Sequence, residues 1–171
     1  HSFTGQVWAN KVGFKRWLLK FCDKLTAMFA TDHLIDSPSQ QDFLIKEGVV
    51  DSLKSVVLCS GSICGVDIHR FYPNSQVRVA LRAEMGVDQK AFVCLFLGRL
   101  NRDKGVFDLA SAFSKFASSK PNVELWLVGP DEQGIYNEIV NLMGPMSSQL
   151  RRVDYTSEPE RFMQSADLFC L

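Results

Sequence analysis

The 171-residue chain carries 19 Lys and Arg against 19 Asp and Glu, so it is formally neutral with its histidines uncharged. Hydrophobic residues make up 46% and charged residues 22%, a globular balance that excludes a disordered tail, a collagen-like fibre and a small disulfide scaffold. Neutrality argues against a general nucleic-acid binder, and the longest apolar runs, Phe92–Leu97 and Leu125–Val128, are far too short to span a bilayer.

The chain opens on His1 and shows no charged leader followed by an apolar run, so no signal peptide is visible. It closes on the apolar run Ala166–Leu171, which reads as a buried strand where a frayed polar end is usual, so a fragment is expected. The five cysteines, Cys22, Cys59, Cys64, Cys94 and Cys170, are odd in number and form no CxxC pair. They read as reduced, buried thiols of a cytoplasmic protein. The histidines, His1, His33 and His69, are scattered, without Cys or carboxylate at ligand spacing, so no metal site is expected.

From about Val7 to Phe29 the chain reads as a helix. Phe14, Trp17, Leu18, Phe21, Leu25, Met28 and Phe29 recur at three- and four-residue steps and form one apolar stripe. Up to residue 30 there are five cations (Lys11, Lys15, Arg16, Lys20, Lys24) against Asp23 alone. Such a basic helix suits an anionic membrane surface, or it packs in a core with a solvated lysine face. His33–Asp36 reads as a strand, and a second helix starts near Ser39, a candidate N-cap, and stops at Gly48. Val56–Cys59 is strand-like and runs into a Gly-, Ser-, Pro- and Asn-rich stretch.

The second half alternates regularly. Strands are expected at Ala91–Leu97, Val123–Val128, Leu150–Tyr155 and Ala166–Leu171, with helices at Val106–Ser118, Glu132–Met143 and Pro159–Gln164 between them. That alternation predicts an α/β, Rossmann-like parallel sheet with flanking helices. We divide the chain into a first domain at 1–66, a linker at 67–75 and a second domain at 76–171.

Ligands of open α/β sheets bind beyond the carboxyl ends of the strands. The loop after the first strand of the second domain is Gly98-Arg-Leu-Asn-Arg-Asp-Lys-Gly105, two glycines around three cations at the start of a helix. A helix N-terminus favours an anion, and Arg99 and Lys104 add a fork and a point charge. We expect them to converge on a phosphate or diphosphate, with Gly98 letting backbone approach the ligand and Gly105 turning the chain. An ordinary solvated loop is the rival. The loop is neither a Walker motif nor a dinucleotide fingerprint.

Gly65-Val-Asp67, Arg70-Phe71, Pro73, Phe96-Leu-Gly-Arg-Leu100, Asp103-Lys-Gly105, Pro121-Asn122, Val128-Gly129 and Ser165-Ala-Asp167 together resemble the family 4 retaining glycosyltransferases of the GT-B fold. The resemblance covers essentially the whole chain and implies the end of an acceptor-side domain followed by the first part of a donor domain. It gives Arg99 and Lys104 the donor diphosphate, His1 a place beside the transferred sugar, and Tyr155 and Thr156 the nucleotide base. Gly61 and Gly65 would line the cleft. It implies a nucleotide-diphosphate sugar as donor, a carbohydrate or lipid-linked acceptor, no metal cofactor and a role in surface polysaccharide assembly. Two glutamates seven residues apart, expected after the fourth strand of the donor domain, do not occur before Leu171, so this fragment is expected to be inactive and its sheet edge to invite self-association. The rivals are a nucleotide-sugar epimerase or a phosphorylase of the same architecture, or a non-catalytic α/β binding domain.

Overall fold

The computed structural model describes residues 1–62 and 64–171. Ile63, inside the turn-rich stretch, lies outside the described residues. The chain divides into two compact units, His1–Val66 and Asp67–Leu171.

The first unit holds a parallel sheet of β1 (Ser2–Phe3), β2 (His33–Ile35) and β3 (Ser55–Val57), in that order. Helix α1 (Gly13–Phe29) joins β1 to β2, and α2 (Pro38–Lys46) leads towards β3. The cap of α2 is Ser37, not Ser39: its hydroxyl accepts from the Gln40 N–H. Pro38 explains the shift, because its fixed φ and missing N–H suit the first helical position. The α1 helix also starts later than the apolar spacing suggests. Residues 7–10 form turns that deliver Trp8 into the core at 1% exposure, where its indole N–H donates to Asp23 at 2.6 Å. Phe3, Ile35, Leu44, Val49 and Val50 complete this core, and α1 adds only Ala27.

The apolar stripe of α1 therefore lies outward within this unit. Phe14, Trp17, Met28 and Phe29 are 60–82% exposed. The rings of Phe14, Trp17 and Phe21 stack along the helix, with centroids 5.8 and 5.6 Å apart.

The second unit is α3 (Ser75–Glu84), β4 (Phe92–Leu97), α4 (Val106–Ala117), β5 (Val123–Val128), α5 (Tyr136–Met143), β6 (Leu150–Val153), α6 (Pro159–Ser165) and β7 (Leu168–Cys170). Its four strands are parallel in the order β6-β5-β4-β7. Successive side chains of β4 and β5 face opposite ways, and both faces are covered. Cys94, Phe96, Leu125 and Leu127 pack with α4 and α5, whereas Val93, Leu95, Trp126 and Val128 pack with Leu81 of α3 and Phe162 of α6. That is why β4 and residues 125–128 of β5 read as unbroken apolar runs. Each fully buried Leu or Ile adds roughly 1.5–3 kcal/mol.

Three expectations need correction. The last strand is an edge, with Leu168 and Phe169 at 48% and 39% exposure. Cys22, Cys59 and Cys64 are exposed, and of the five only Cys94 is fully buried; Phe21 and Leu58, beside the first two in sequence, are exposed as well, so an apolar run here does not mark burial. Helix α5 starts at Tyr136 rather than Glu132, because the Asp131 carboxylate accepts from the N–H groups of Ile135 and Tyr136 and so sets the first turn there.

Candidate functional site

The carboxyl ends of β4, β5 and β6 meet at one edge of the second unit. The Gly98 N–H donates to Val128 O at 2.9 Å, the Gly129 N–H to Val153 O at 2.8 Å and the Leu100 N–H to Pro130 O at 2.8 Å. Gly129 has φ +138°, and a Cβ there would fall on the carbonyl oxygen of Gly98 and 2.7 Å from its carbon. Only glycine permits this approach. The loops after β4 and β5 are thereby pinned together.

In the loop after β4, Asn101 begins a short 3-10 turn (Arg102–Lys104), and Gly105, with φ +69°, turns the chain into α4. Lys104 lines a hollow of about 420 Å³ with Phe96, Gly105, Asp108, Leu109 and Cys170. Among the described residues no ion pair engages Lys104. The hollow joins an ammonium, a carboxylate and a helix N-terminus to an apolar floor; the Lys104 ammonium and the helix N-terminus favour an anionic ligand with a less polar body, and Asp108 opposes it.

Arg99 does not line that hollow, so the expected convergence with Lys104 is not found. Its guanidinium pairs with Glu132 at 3.3 Å, both side chains being about half exposed. The pinned loops bring Glu132, just after β5, against it. An exposed pair of this kind is worth only about 0.2–1 kcal/mol, so it exchanges readily. The third cation of the loop, Arg102, grips both oxygens of Glu138 at 2.7 Å and lies over the Phe107 ring, which ties the loop to α5 and α4.

The remaining candidates lie apart. Tyr155 and Thr156 border a separate hollow of about 320 Å³ with Glu84 and Arg161. Tyr155 is 77% exposed, and the Thr156 hydroxyl accepts from the Glu158 N–H at the start of α6. His1 belongs to the first unit, where its ring meets Phe3 edge-on and its amino group donates to Asp32 O. Gly61, with φ +112°, passes so close to Asp36 that a Cβ would be 2.7 Å from its carbonyl oxygen, whereas Gly65 is open on all sides. For Gly61 the structure thus shows a packing need within the first unit.

Two acidic residues after β5 were not among the sequence candidates. Burial pushes the Asp131 carboxyl up, but the N–H groups of Ile135, Tyr136 and Gln133 outweigh it and hold it below the usual carboxylate range. Glu132 engages Arg99. The signal available was the acidic pair that follows Gly129-Pro130. The Cys94 thiol is pushed up to about 11, chiefly by burial. Among the described residues no group of three or more His, Cys, Asp or Glu is placed to hold a metal, and no helix is long and apolar enough to cross a membrane.

Compared with known proteins, residues 77–171 match the family described as glycosyl transferases group 1. The chain belongs to that family. It is 25% identical over 158 residues to the capsular polysaccharide biosynthesis glycosyltransferase CapM of Staphylococcus aureus, covering 92% of this chain and 41% of the relative. It is 32% identical over 74 residues to alpha-monoglucosyldiacylglycerol synthase of Acholeplasma laidlawii, covering 40% of this chain and 18% of that protein. Among solved structures, Anabaena HepE in complex with UDP and glucose matches 99% of this chain and 44% of its own, at a TM-score of 0.77 and 18% identity. The fold is thus that of the GT-B glycosyltransferase structures, with parallel sheets and flanking helices. The chain spans about two-fifths of the length of the CapM and HepE chains.

Proposed function

We propose that the chain is part of a retaining hexosyltransferase that takes a nucleotide-diphosphate sugar as donor and serves surface polysaccharide assembly. The observation that carries this is Lys104 at the hollow beside the α4 N-terminus, in a unit whose sequence matches the family. Arg99 sits on the same loop, held by an exposed and exchangeable partner. In the reaction the bond between the sugar C1 and the phosphate oxygen breaks, the acceptor oxygen bonds to C1 on the same face, and its proton passes to the departing phosphate oxygen. Negative charge grows on the departing diphosphate; Lys104 at the hollow and Arg99, once its guanidinium leaves Glu132, are the cations that would meet it, and they would stabilise the transition state more than the ground state. They take the place a divalent ion fills elsewhere, so no metal is required. The relatives support the donor class: HepE is seen with UDP and glucose, and CapM carries a polysaccharide biosynthesis name.

Calorimetric titration with UDP tests the site. Charge-assisted hydrogen bonds are worth about 1.5–3 kcal/mol each, so Arg99→Ala with Lys104→Ala should weaken binding by tenfold or more (roughly 1.4 kcal/mol per decade). Unchanged binding in the double variant favours a non-catalytic domain. For the longer protein, a labelled nucleotide sugar that yields a free epimer without acceptor points to an epimerase.

The exposed face of α1 supports a second element, peripheral contact with an anionic membrane. Its stacked rings are flanked by Lys11, Lys15 and Lys24, all exposed, which is the pairing of apolar and cationic groups that binds interfaces. Co-sedimentation with phosphatidylglycerol vesicles, but not phosphatidylcholine vesicles, is the expected result, and Trp17→Ser with Phe21→Ser should abolish it. Equal sedimentation with both lipids, or none, refutes it.

A further inference from the structure

The segment after β5 reaches back over the loop after β4. Asp131 is fixed at the start of α5 by Ile135 and Tyr136, and the Gln133 side-chain oxygen accepts from the Arg102 N–H at 3.1 Å. Between them, Glu132 Oε2 accepts from Arg99 Nη1 at 3.3 Å and from Asn101 Nδ2 at 3.2 Å. The Gly98–Gly129 approach and the Leu100–Pro130 hydrogen bond hold the two backbones in place. One carboxylate oxygen therefore sits at the focus of two donors of this loop. A phosphate oxygen has the same sign of charge and takes the same donors.

We propose that Glu132 is a positioning residue of the donor site: its carboxylate holds the Arg99 guanidinium and the Asn101 amide in place until a nucleoside diphosphate takes both donors over. The proposal rests on the diphosphate reading of loop 98–105. Exchange is easy because the pair is solvent-exposed, with Arg99 and Glu132 side chains at 57% and 44%. After exchange, Glu132 leaves a like charge beside the diphosphate. It thus tempers nucleotide affinity and speeds release of the spent nucleoside diphosphate.

UDP titrations of the whole chain, at low and high ionic strength, separate the two roles. Glu132→Gln keeps an oxygen for Arg99 and Asn101 but removes the charge, and it should bind UDP about two- to fivefold more tightly at low salt. That ratio should shrink towards one near 1 M salt, where the screening length is about 3 Å. Glu132→Ala removes the holder as well and should bind more weakly than Glu132→Gln. A purely structural role would lower the melting temperature and leave the salt dependence untouched. Binding by Glu132→Gln that equals or falls below wild type, or a ratio indifferent to salt, overturns the proposal. If wild type binds no UDP, or Arg99→Ala binds it equally well, the diphosphate reading itself falls. If Arg99→Ala loses binding while Glu132→Gln gains none, only the role of Glu132 falls.

Discussion

Replacing Asp167 by Asn should loosen the second unit by about 3 kcal/mol, within the range for breaking a buried ion pair. The figure follows from Arg82, whose side chain is 0% exposed. Its Nε donates to Ser165 O at 3.0 Å, its Nη1 to the carbonyls of Gln89 and Ala91 at 3.0 and 2.8 Å, and its Nη2 to Asp167 Oδ2 at 2.7 Å. Asp167 also accepts from the Val93 N–H at 2.8 Å and from Arg78 at 2.6 Å. An amide would keep one acceptor oxygen, turn an N–H₂ towards a cation and leave Arg82 without its carboxylate. The low end of the range applies because Asp167 stays 25% exposed. Hydrogen exchange at the amides of β4 and β5 resolves this unit from the first, and a loss of 3 kcal/mol should speed it by roughly a hundredfold. Acid gives an independent check. Burial pushes the Asp167 carboxyl up, but the Val93 N–H and the Arg78 and Arg82 guanidiniums outweigh it, so the carboxyl lies below its ordinary range. The stabilisation is therefore full above the unfolded aspartate value and is lost as pH falls through the lower, folded value. The Asn variant should lack that acid-dependent step. Acceleration under threefold, or equal acceleration in β1–β3, would refute the clamp (a threefold change is about 0.6 kcal/mol).

Gly129→Ala should cost more than about 3 kcal/mol, since backbone meets backbone and φ is positive; thermal melting reads the loss, and UDP affinity should fall with it. Gly61→Ala should destabilise the first unit alone, through its clash with Asp36, and proteolysis confined to residues 1–66 would show it. Burial raises the Glu124 carboxyl against the pull of Arg151, so the ionised form costs stability above the folded value and the cost fades as pH falls through it. Glu124→Gln should thus melt higher than wild type at pH 7 and lose that advantage as the pH falls through the folded value. The edge strand β7 should drive concentration-dependent association of the chain, and Phe169→Lys, which charges that edge, should suppress it in sedimentation experiments.

Strand β5 was legible residue for residue because a run buried on both faces has one period and sharp ends, Asn122 before it and Gly129 after it. The position of Lys104 was legible for a similar reason: a charged loop between a strand and a helix lies at the ligand end of a parallel sheet. Helix α3 was not, because Val77, Val79 and Leu81 alternate with Arg78, Ala80 and Arg82 and imitate a strand; its cap Asn74, which accepts from Gln76 and Val77, is the local cue. Nor was the fate of Arg99. Its partner lies thirty-three residues on, and only the pairing of β4 with β5 brings them together. Arg82 looks like any helical cation until β7 brings Asp167 against it. The α1 stripe has spacing that fits a core or an interface equally well; the structure adds that within the first unit α1 buries Ala27 and leaves the stripe outward.

Where Gly98 meets Gly129 there is no side chain to trim or enlarge. The two loops consequently form a single rim of constant gauge around the mouth of the sheet. A lineage that changes what binds at this mouth would have to do so with groups mounted on that rim, Glu132 among them, since widening the rim itself would pull the strands apart.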